Sequence, residues 1–333
     1  MNGQTLQGRA QTEGVAVADI LRETDESLRS GAALSPPLSL GLPVLDAHIG
    51  AGLVPGDLAV IAGAQGVGKT TFALQVARNV AHGGSPVTYV CYEHDVQQIL
   101  ERLVVMEANL GATGPAPTLA DVRSRLSLRD GGGLAERLAD LHGTLEAVNR
   151  VAAYGDRLHI VSARGDVTGI ADLRVASAWH DRPGLIVVDY LQKVHVDLPD
   201  EDARVAHVAT ALKDFALESG QSVLAVSALE LAGLEAKRIR ARHLKGSVTL
   251  AYEADIVMVL QHKYDVVARD KLVYDLTRAE DMHNWLVLSL EKNRHGDDRL
   301  DLTFRKRLAR GHFDPDGHIE SDPLVDERIH IDH

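Results

Sequence analysis

Gly63-Ala64-Gln65-Gly66-Val67-Gly68-Lys69-Thr70 decides the reading of this 333-residue chain. The octapeptide fills every fixed position of G-x-x-x-x-G-K-[ST]. An apolar run, Leu58-Ala59-Val60-Ile61-Ala62, leads in as a strand, and Thr71-Phe72-Ala73-Leu74-Gln75-Val76-Ala77 leads out with helical spacing. That strand–loop–helix context turns a pattern into a phosphate-binding loop. The glycines let backbone N–H groups converge on phosphates at the positive end of the helix. Lys69 is expected to reach the β- and γ-phosphates, Thr70 to ligate Mg²⁺, and Thr71 to join the phosphate contacts. The chain is thus read as binding a nucleoside triphosphate, with ATP and Mg²⁺ as cofactors.

Working outward, short apolar strands alternate with amphipathic helices. Strands are expected at 58–62, 87–92, 157–162, 184–189, 222–227, 255–260, 285–290 and 299–304. Helices are expected near 69–81, 95–110, 134–153, 169–180 and 203–219. The pattern predicts an α/β fold with a mainly parallel, twisted sheet and helices on both faces. The last strands lie closer together and are expected to be partly antiparallel. The chain divides into a leader, 1–39, with one short helix carrying Val17, Ile20, Leu21 and Leu28; a domain, 40–310; and an acidic tail, 311–333, read as flexible. The Gly-, Pro- and Thr-rich stretch 111–133 reads as a loop. The long connection 262–284 suits either a lid or a subunit contact.

Composition is that of an ordinary globular protein, with 45% hydrophobic and 25% charged residues. No apolar run approaches the ~18 residues needed to span a bilayer, and no signal peptide is visible, so no membrane association and a cytoplasmic location are expected. Cys91, the one cysteine, sits in an apolar run and reads as core. The net charge of −12 argues against nucleic acid until its distribution is considered. Seven acids against Arg328 put −6 on residues 311–333, whereas Lys237, Arg238, Arg240, Arg242 and Lys245 against Glu235 give 235–248 a local +4. That basic stretch reads either as a solvated face or as a contact for phosphates.

Two carboxylates complete the phosphate chemistry. Leu185-Ile186-Val187-Val188-Asp189 places Asp189 at the carboxyl edge of a buried strand, where ligands bind in open α/β sheets, and predicts an Mg²⁺ ligand beside Thr70. Glu93 follows strand 87–92 where an attacking water needs a base. The alternative is that Glu93 and Asp95 both serve the start of the next helix; position favours catalysis for Glu93 and capping for Asp95.

Asp189-Tyr190-Leu191-Gln192 and Glu291-Lys292-Asn293-Arg294-His295-Gly296, each after a strand, resemble the ATPase domain of DnaB-type replicative helicases, RecA-like ring motors of superfamily 4. The resemblance runs from about Val17 to Phe304. It includes Gly41-Leu42-Pro43-Val44-Leu45-Asp46, Gly52-Leu53-Val54-Pro55-Gly56-Asp57-Leu58, Ser227-Ala228-Leu229 and Glu253-Ala254-Asp255-Ile256-Val257. It implies a hydrolase of DNA replication that forms a homo-oligomeric ring, usually a hexamer. Within that ring, Glu93 would activate water and Lys292 and Arg294 would reach the neighbouring subunit's nucleotide. The leader helix matches a linker that packs on an adjacent protomer. Residues 243–250 match a channel loop, so Arg242, Lys245, Gly246 and Ser247 are expected to meet single-stranded DNA.

Three departures temper that picture. The family's N-terminal primase-binding domain has no counterpart in the leader, so a different protein partner is a candidate for that role. Ala228 stands where the family has a polar glutamine. The other channel loop, near 194–203, carries Asp197, Asp200, Glu201 and Asp202, which would repel phosphates. The leading expectation is Mg²⁺-dependent ATP hydrolysis coupled to translocation on single-stranded DNA. The rival is a regulatory ATPase that switches a protein assembly without unwinding, and a small-molecule phosphotransferase ranks last. The histidines fall in no metal-binding frame. Trp179, Trp285 and Tyr190 read as packing residues.

Overall fold

The computed structural model describes residues 14–31, 35–110, 112, 114, 116–129, 131–267 and 276–325. The expected alternation is present. Strand β1 (Leu58–Gly63) precedes helix α3 (Lys69–His82), which follows α1 (Val17–Arg29) and α2 (Pro43–His48) in the chain. Then come β2 (Val87–Cys91), α4 (Val96–Asn109), α5 (Leu119–Leu126), α6 (Leu134–Leu138), α7 (Thr144–Gly155), β3 (Leu158–Ser162), α8 (Ile170–Ser177), β4 (Leu185–Asp189), α9 (Glu201–Ser219) and β5 (Ser222–Ser227). The chain closes through α10 (Leu231–Glu235), α11 (Ser247–Glu253), β6 (Ile256–His262), α12 (Lys263–Val266), β7 (Trp285–Asn293), β8 (Leu300–Arg307), β9 (His312–Phe313) and β10 (His318–Ile319).

The described strands form one ten-stranded sheet in the order β10-β8-β7-β6-β1-β5-β4-β2-β3, with β9 paired to β8. The run from β6 to β3 is parallel throughout. Strands β7, β8, β9 and β10 join antiparallel. Alternation along β1 shows why both faces are covered. Ala59 and Ile61 point into one apolar layer with Phe72, Val76, Ile99 and Leu103. Leu58, Val60 and Ala62 point into the other with Val205, Val208, Leu212 and Phe215. A strand buried on both faces reads as a continuous apolar run, as this one does.

Three local expectations need correction. Within 111–133, Thr118 begins α5 rather than continuing a loop: its Oγ1 accepts from Asp121 N at 3.3 Å while Asp121 Oδ2 accepts from Thr118 N at 2.8 Å. The single helix expected at 134–153 is two, because Gly143 sits at φ +75° and turns the chain before α7. Nor is residue 311 the start of a flexible tail. Phe313 is buried and pairs with Lys306, Ile319 pairs with Leu302, and Lys263 holds Glu320 and Asp322 in ion pairs of 2.9 and 2.8 Å. Charge explains the misreading, since those acids face a buried lysine rather than water. Residues 326–333 and part of 262–284 lie outside the described residues. Helix α1 has no buried residue and exposes Val17, Ile20, Leu21 and Leu28. Among the described residues, no helix is long and apolar enough to cross a membrane.

Candidate nucleotide-binding site

The phosphate loop leaves β1 at its carboxyl edge, two strands away from the end of β4. Gly63 and Gly68 adopt φ +156° and +108°, values open to glycine. Neither position has room for a side chain: a Cβ on Gly63 would meet Leu260 O at 2.5 Å, and one on Gly68 would meet Leu308 and Phe313 carbons at 2.8 Å. Gly63, Gln65, Gly66, Gly68, Lys69, Thr70 and Thr71 line a cleft of about 600 Å³ together with Glu93 and Asp189. Ala64 and Val67 turn into the apolar layers instead.

Lys69 Nζ donates to the carbonyls of Gly63 and Ala64 at 2.8 and 2.9 Å, so the loop holds its own cation over the cleft. Burial lowers the Lys69 pKa, and the nearby Asp189 and Glu93 carboxylates oppose that fall. Asp189 is buried, and Tyr89 Oη donates to its Oδ2 at 2.8 Å. Burial raises the Asp189 pKa, against the lowering effect of the Tyr89 hydrogen bond and of the nearby Thr70 hydroxyl. Its other oxygen, Oδ1, is buried with no donor among the described residues. An acceptor-only oxygen kept from water beside a threonine hydroxyl is what a hard cation with oxygen ligands requires. These two residues therefore fit Mg²⁺. Glu93 stands exposed in the same cleft, in the bend at 92–94 that follows β2. Asp95, by contrast, caps α4, with its Oδ1 accepting from Gln98 N at 2.8 Å.

Lys292 and Arg294 are elsewhere. In the antiparallel pairing, Asn293 lies opposite Ile256, at the start of β6, whereas Gly63 of the phosphate loop lies beside Leu260. Four residues of strand separate the two levels by roughly 13 Å. Lys292 Nζ donates to the carbonyls of Ala251, Tyr252 and Ala254, closing the end of α11. Arg294 bonds Asp255 Oδ1 at 2.9 Å and Tyr252 O at 2.8 Å. Both cations thus lie far from the phosphate loop of their own chain.

The basic stretch divides. Arg238 is buried on Asp301 and Arg240 bonds Glu291 at 2.9 Å, so both are structural. Arg242 is exposed in the turn Ala241–His243, and Gly246 begins α11 at φ +71°. Lys245 pairs with Glu201 of the acidic loop at 2.6 Å. Sequence reasoning missed Gln192. Its Oε1 accepts from Ala228 N and its Nε2 donates to Ser227 Oγ, each at 3.0 Å. The amide absent at Ala228 is thus supplied from the neighbouring strand end. Sequence spacing gave no sign of Arg102, Leu308 or Phe313 at this site, because they reach it by tertiary packing; His94 arrives there as the chain neighbour of Glu93.

A phosphate loop, a buried aspartate on a nearby parallel strand and a glutamate after the next strand define a P-loop NTPase with a RecA-like core. The sequence model of the DnaB-like helicase C terminal domain matches residues 38–312, and the chain belongs to that family. Among curated relatives, the replicative DNA helicase DnaB of Rhodothermus marinus is 29% identical over 288 residues, 78% of this chain and 28% of that protein. The replicative DNA helicase DnaC of Bacillus subtilis (strain 168) is 26% identical over 278 residues, 79% of this chain and 57% of that protein. The chain therefore spans little more than half the length of one and under a third of the other. A solved ATPase domain superposes with a TM-score of 0.70 at 19% identity, over 90% of this chain and 99% of its own. A solved DnaB-like replicative helicase superposes with a TM-score of 0.67 at 19% identity, over 90% of this chain and 67% of its own.

Proposed function

We propose that the chain hydrolyses ATP with Mg²⁺ at sites shared between subunits of a homo-oligomeric ring, and that hydrolysis drives movement along single-stranded DNA. The observation that carries this reading is the separation of parts. Glu93, Lys69, Thr70 and Asp189 share one cleft, while Lys292 and Arg294 sit at the opposite edge of the sheet. A cation that cannot reach its own nucleotide suits a neighbour's, and a ring provides that neighbour through a head-to-tail interface. Bound Mg²⁺ would neutralise the β- and γ-phosphate oxygens. Thr70 and Asp189 would hold it, Lys69 would steady the phosphates, and Glu93 would orient and deprotonate the attacking water. The link to DNA runs through backbone: Lys245 N donates to Ala228 O at 3.1 Å, so the loop carrying Lys245, Gly246 and Ser247 is tied to the cleft wall.

The test is the steady-state ATPase rate with and without single-stranded DNA, with Glu93→Gln as the blank. Stimulation of several-fold that Lys245→Ala removes is expected of a DNA motor. A Glu93-dependent rate indifferent to DNA supports the second reading, a regulatory ATPase acting on a protein assembly. The Lys245–Glu201 pair and the internal pairing of Arg238 and Arg240 favour that alternative, because they leave little of the basic stretch for phosphates.

A further inference from the structure

Arg102, on α4, lines the cleft beside Thr71, Glu93 and His94. Its Nη2 lies 3.2 Å from His94 Nε2, and because a guanidinium has only donors, the imidazole must accept. Its Nε is buried with no acceptor among the described residues. Among the described residues it forms no ion pair. Several other partly buried arginines of the domain face carboxylates: Arg78 and Arg150 share Glu107, Arg238 has Asp301, and Arg240 has Glu291, while Arg157 is met by the carbonyls of Ala81 and Ala153. A permanently charged guanidinium withdrawn from water needs an anion or enough acceptors to take its N–H groups. The folded chain gives Arg102 a neutral histidine acceptor and an open side toward the phosphate loop.

We propose that Arg102 is a phosphate ligand acting in cis, contributed by α4 to the nucleotide held by Lys69 and Thr70 of the same subunit. The proposal rests on the nucleotide reading above and adds a residue to it. His94 orients the guanidinium from one side. The His94 backbone N–H donates to Cys91 Sγ at 3.3 Å, which fixes the turn that carries both His94 and Glu93. The nucleotide's arrival would then be felt directly at the segment that holds the catalytic carboxylate.

The experiment measures equilibrium affinity for ADP and for inorganic pyrophosphate in wild type, Arg102→Gln, Arg102→Lys and Lys69→Ala proteins, with melting temperature as the check on folding. Charge-assisted bonds to phosphate predict about a tenfold or greater loss of both affinities in Arg102→Gln. The melting temperature without ligand should be unchanged, and Arg102→Lys should recover part of the affinity. Affinities within about twofold of wild type, below the effect of even one such bond, would overturn the proposal. A loss for ADP without a loss for pyrophosphate would overturn it too, by moving the contact to the nucleoside. If wild type itself binds neither ligand, or Lys69→Ala binds both equally well, the nucleotide reading fails as a whole.

Discussion

Phe313→Ala tests whether the C-terminal segment is part of the phosphate site. Phe313 is 2% exposed and meets Phe72 edge-on with ring centroids 6.3 Å apart. Its backbone is held from both sides by one side chain: Gln75 Nε2 donates to Phe313 O at 2.9 Å, and Gln75 Oε1 accepts from Phe313 N at 2.8 Å. Both Phe72 and Gln75 belong to α3, the helix that opens with Lys69. Deleting a buried phenylalanine side chain costs about 3–5 kcal/mol where the cavity cannot collapse. Strand β9 has only two residues, so local opening can relieve part of that strain and favours the lower end, about 3 kcal/mol. The assay is urea unfolding followed by circular dichroism, with the midpoint falling and the slope unchanged. Nucleotide affinity should fall as well, since the ring packs against Gly68. A loss below about 0.5 kcal/mol, the range of neutral surface changes, would refute the reasoning and return residues 311–325 to the status of a loose tail.

Other perturbations follow from single side chains. Glu107 is fully buried between Arg78 and Arg150, so Glu107→Gln should destabilise by about 3–5 kcal/mol by leaving buried cation uncompensated, read as a lowered melting temperature. The Asp189 pKa is raised in the folded state, so its contribution to stability is full below the unfolded value of about 3.8 and is lost as pH rises through the folded value. At neutral pH, Asp189→Asn should therefore melt no lower than wild type without Mg²⁺, and should lose the upward shift that Mg²⁺ and ATP give wild type; a lower melting temperature without Mg²⁺ would contradict this. Glu201→Gln frees Lys245 from its pair and should raise single-strand affinity at low salt by a few-fold, with a steeper salt dependence in filter binding. Gly68→Ala should abolish nucleotide binding, because its Cβ has no room between Leu308 and Phe313.

Much of the fold was legible because its signals are local. Strand β4 ends at Asp189 and β5 at Ser227, as the four-residue apolar runs Leu185–Val188 and Val223–Val226 suggest, and α3 begins at Lys69 where the motif places it. Helix α5 was legible too, since Thr118 and Asp121 have the spacing of a capping box, but a Gly- and Pro-rich neighbourhood masked it. The tail misled because its acids were counted as solvated charge, whereas Lys263 receives Glu320 and Asp322 in the interior. At the site, Lys69, Thr70 and Asp189 were marked by residue type at a fixed spacing. Arg102 was not, because no periodic pattern tells which residue of an amphipathic helix meets a cleft assembled from distant segments. Lys292 and Arg294 were suggested only by likeness to the family; their distance from the phosphate loop appears only in the register of β7 on β6.

The shared site is tested most directly by mixing two inactive proteins. Lys69→Ala lacks a working phosphate loop but keeps Arg294, and Arg294→Ala keeps the loop but lacks the cation. Each alone should be nearly inactive. In an equimolar mixture that is allowed to exchange subunits, roughly a quarter of head-to-tail interfaces would join an intact loop to an intact arginine, and ATPase activity should return in proportion. No recovery, from proteins shown by light scattering to share rings, would contradict catalysis across the interface and leave each subunit to hydrolyse ATP alone.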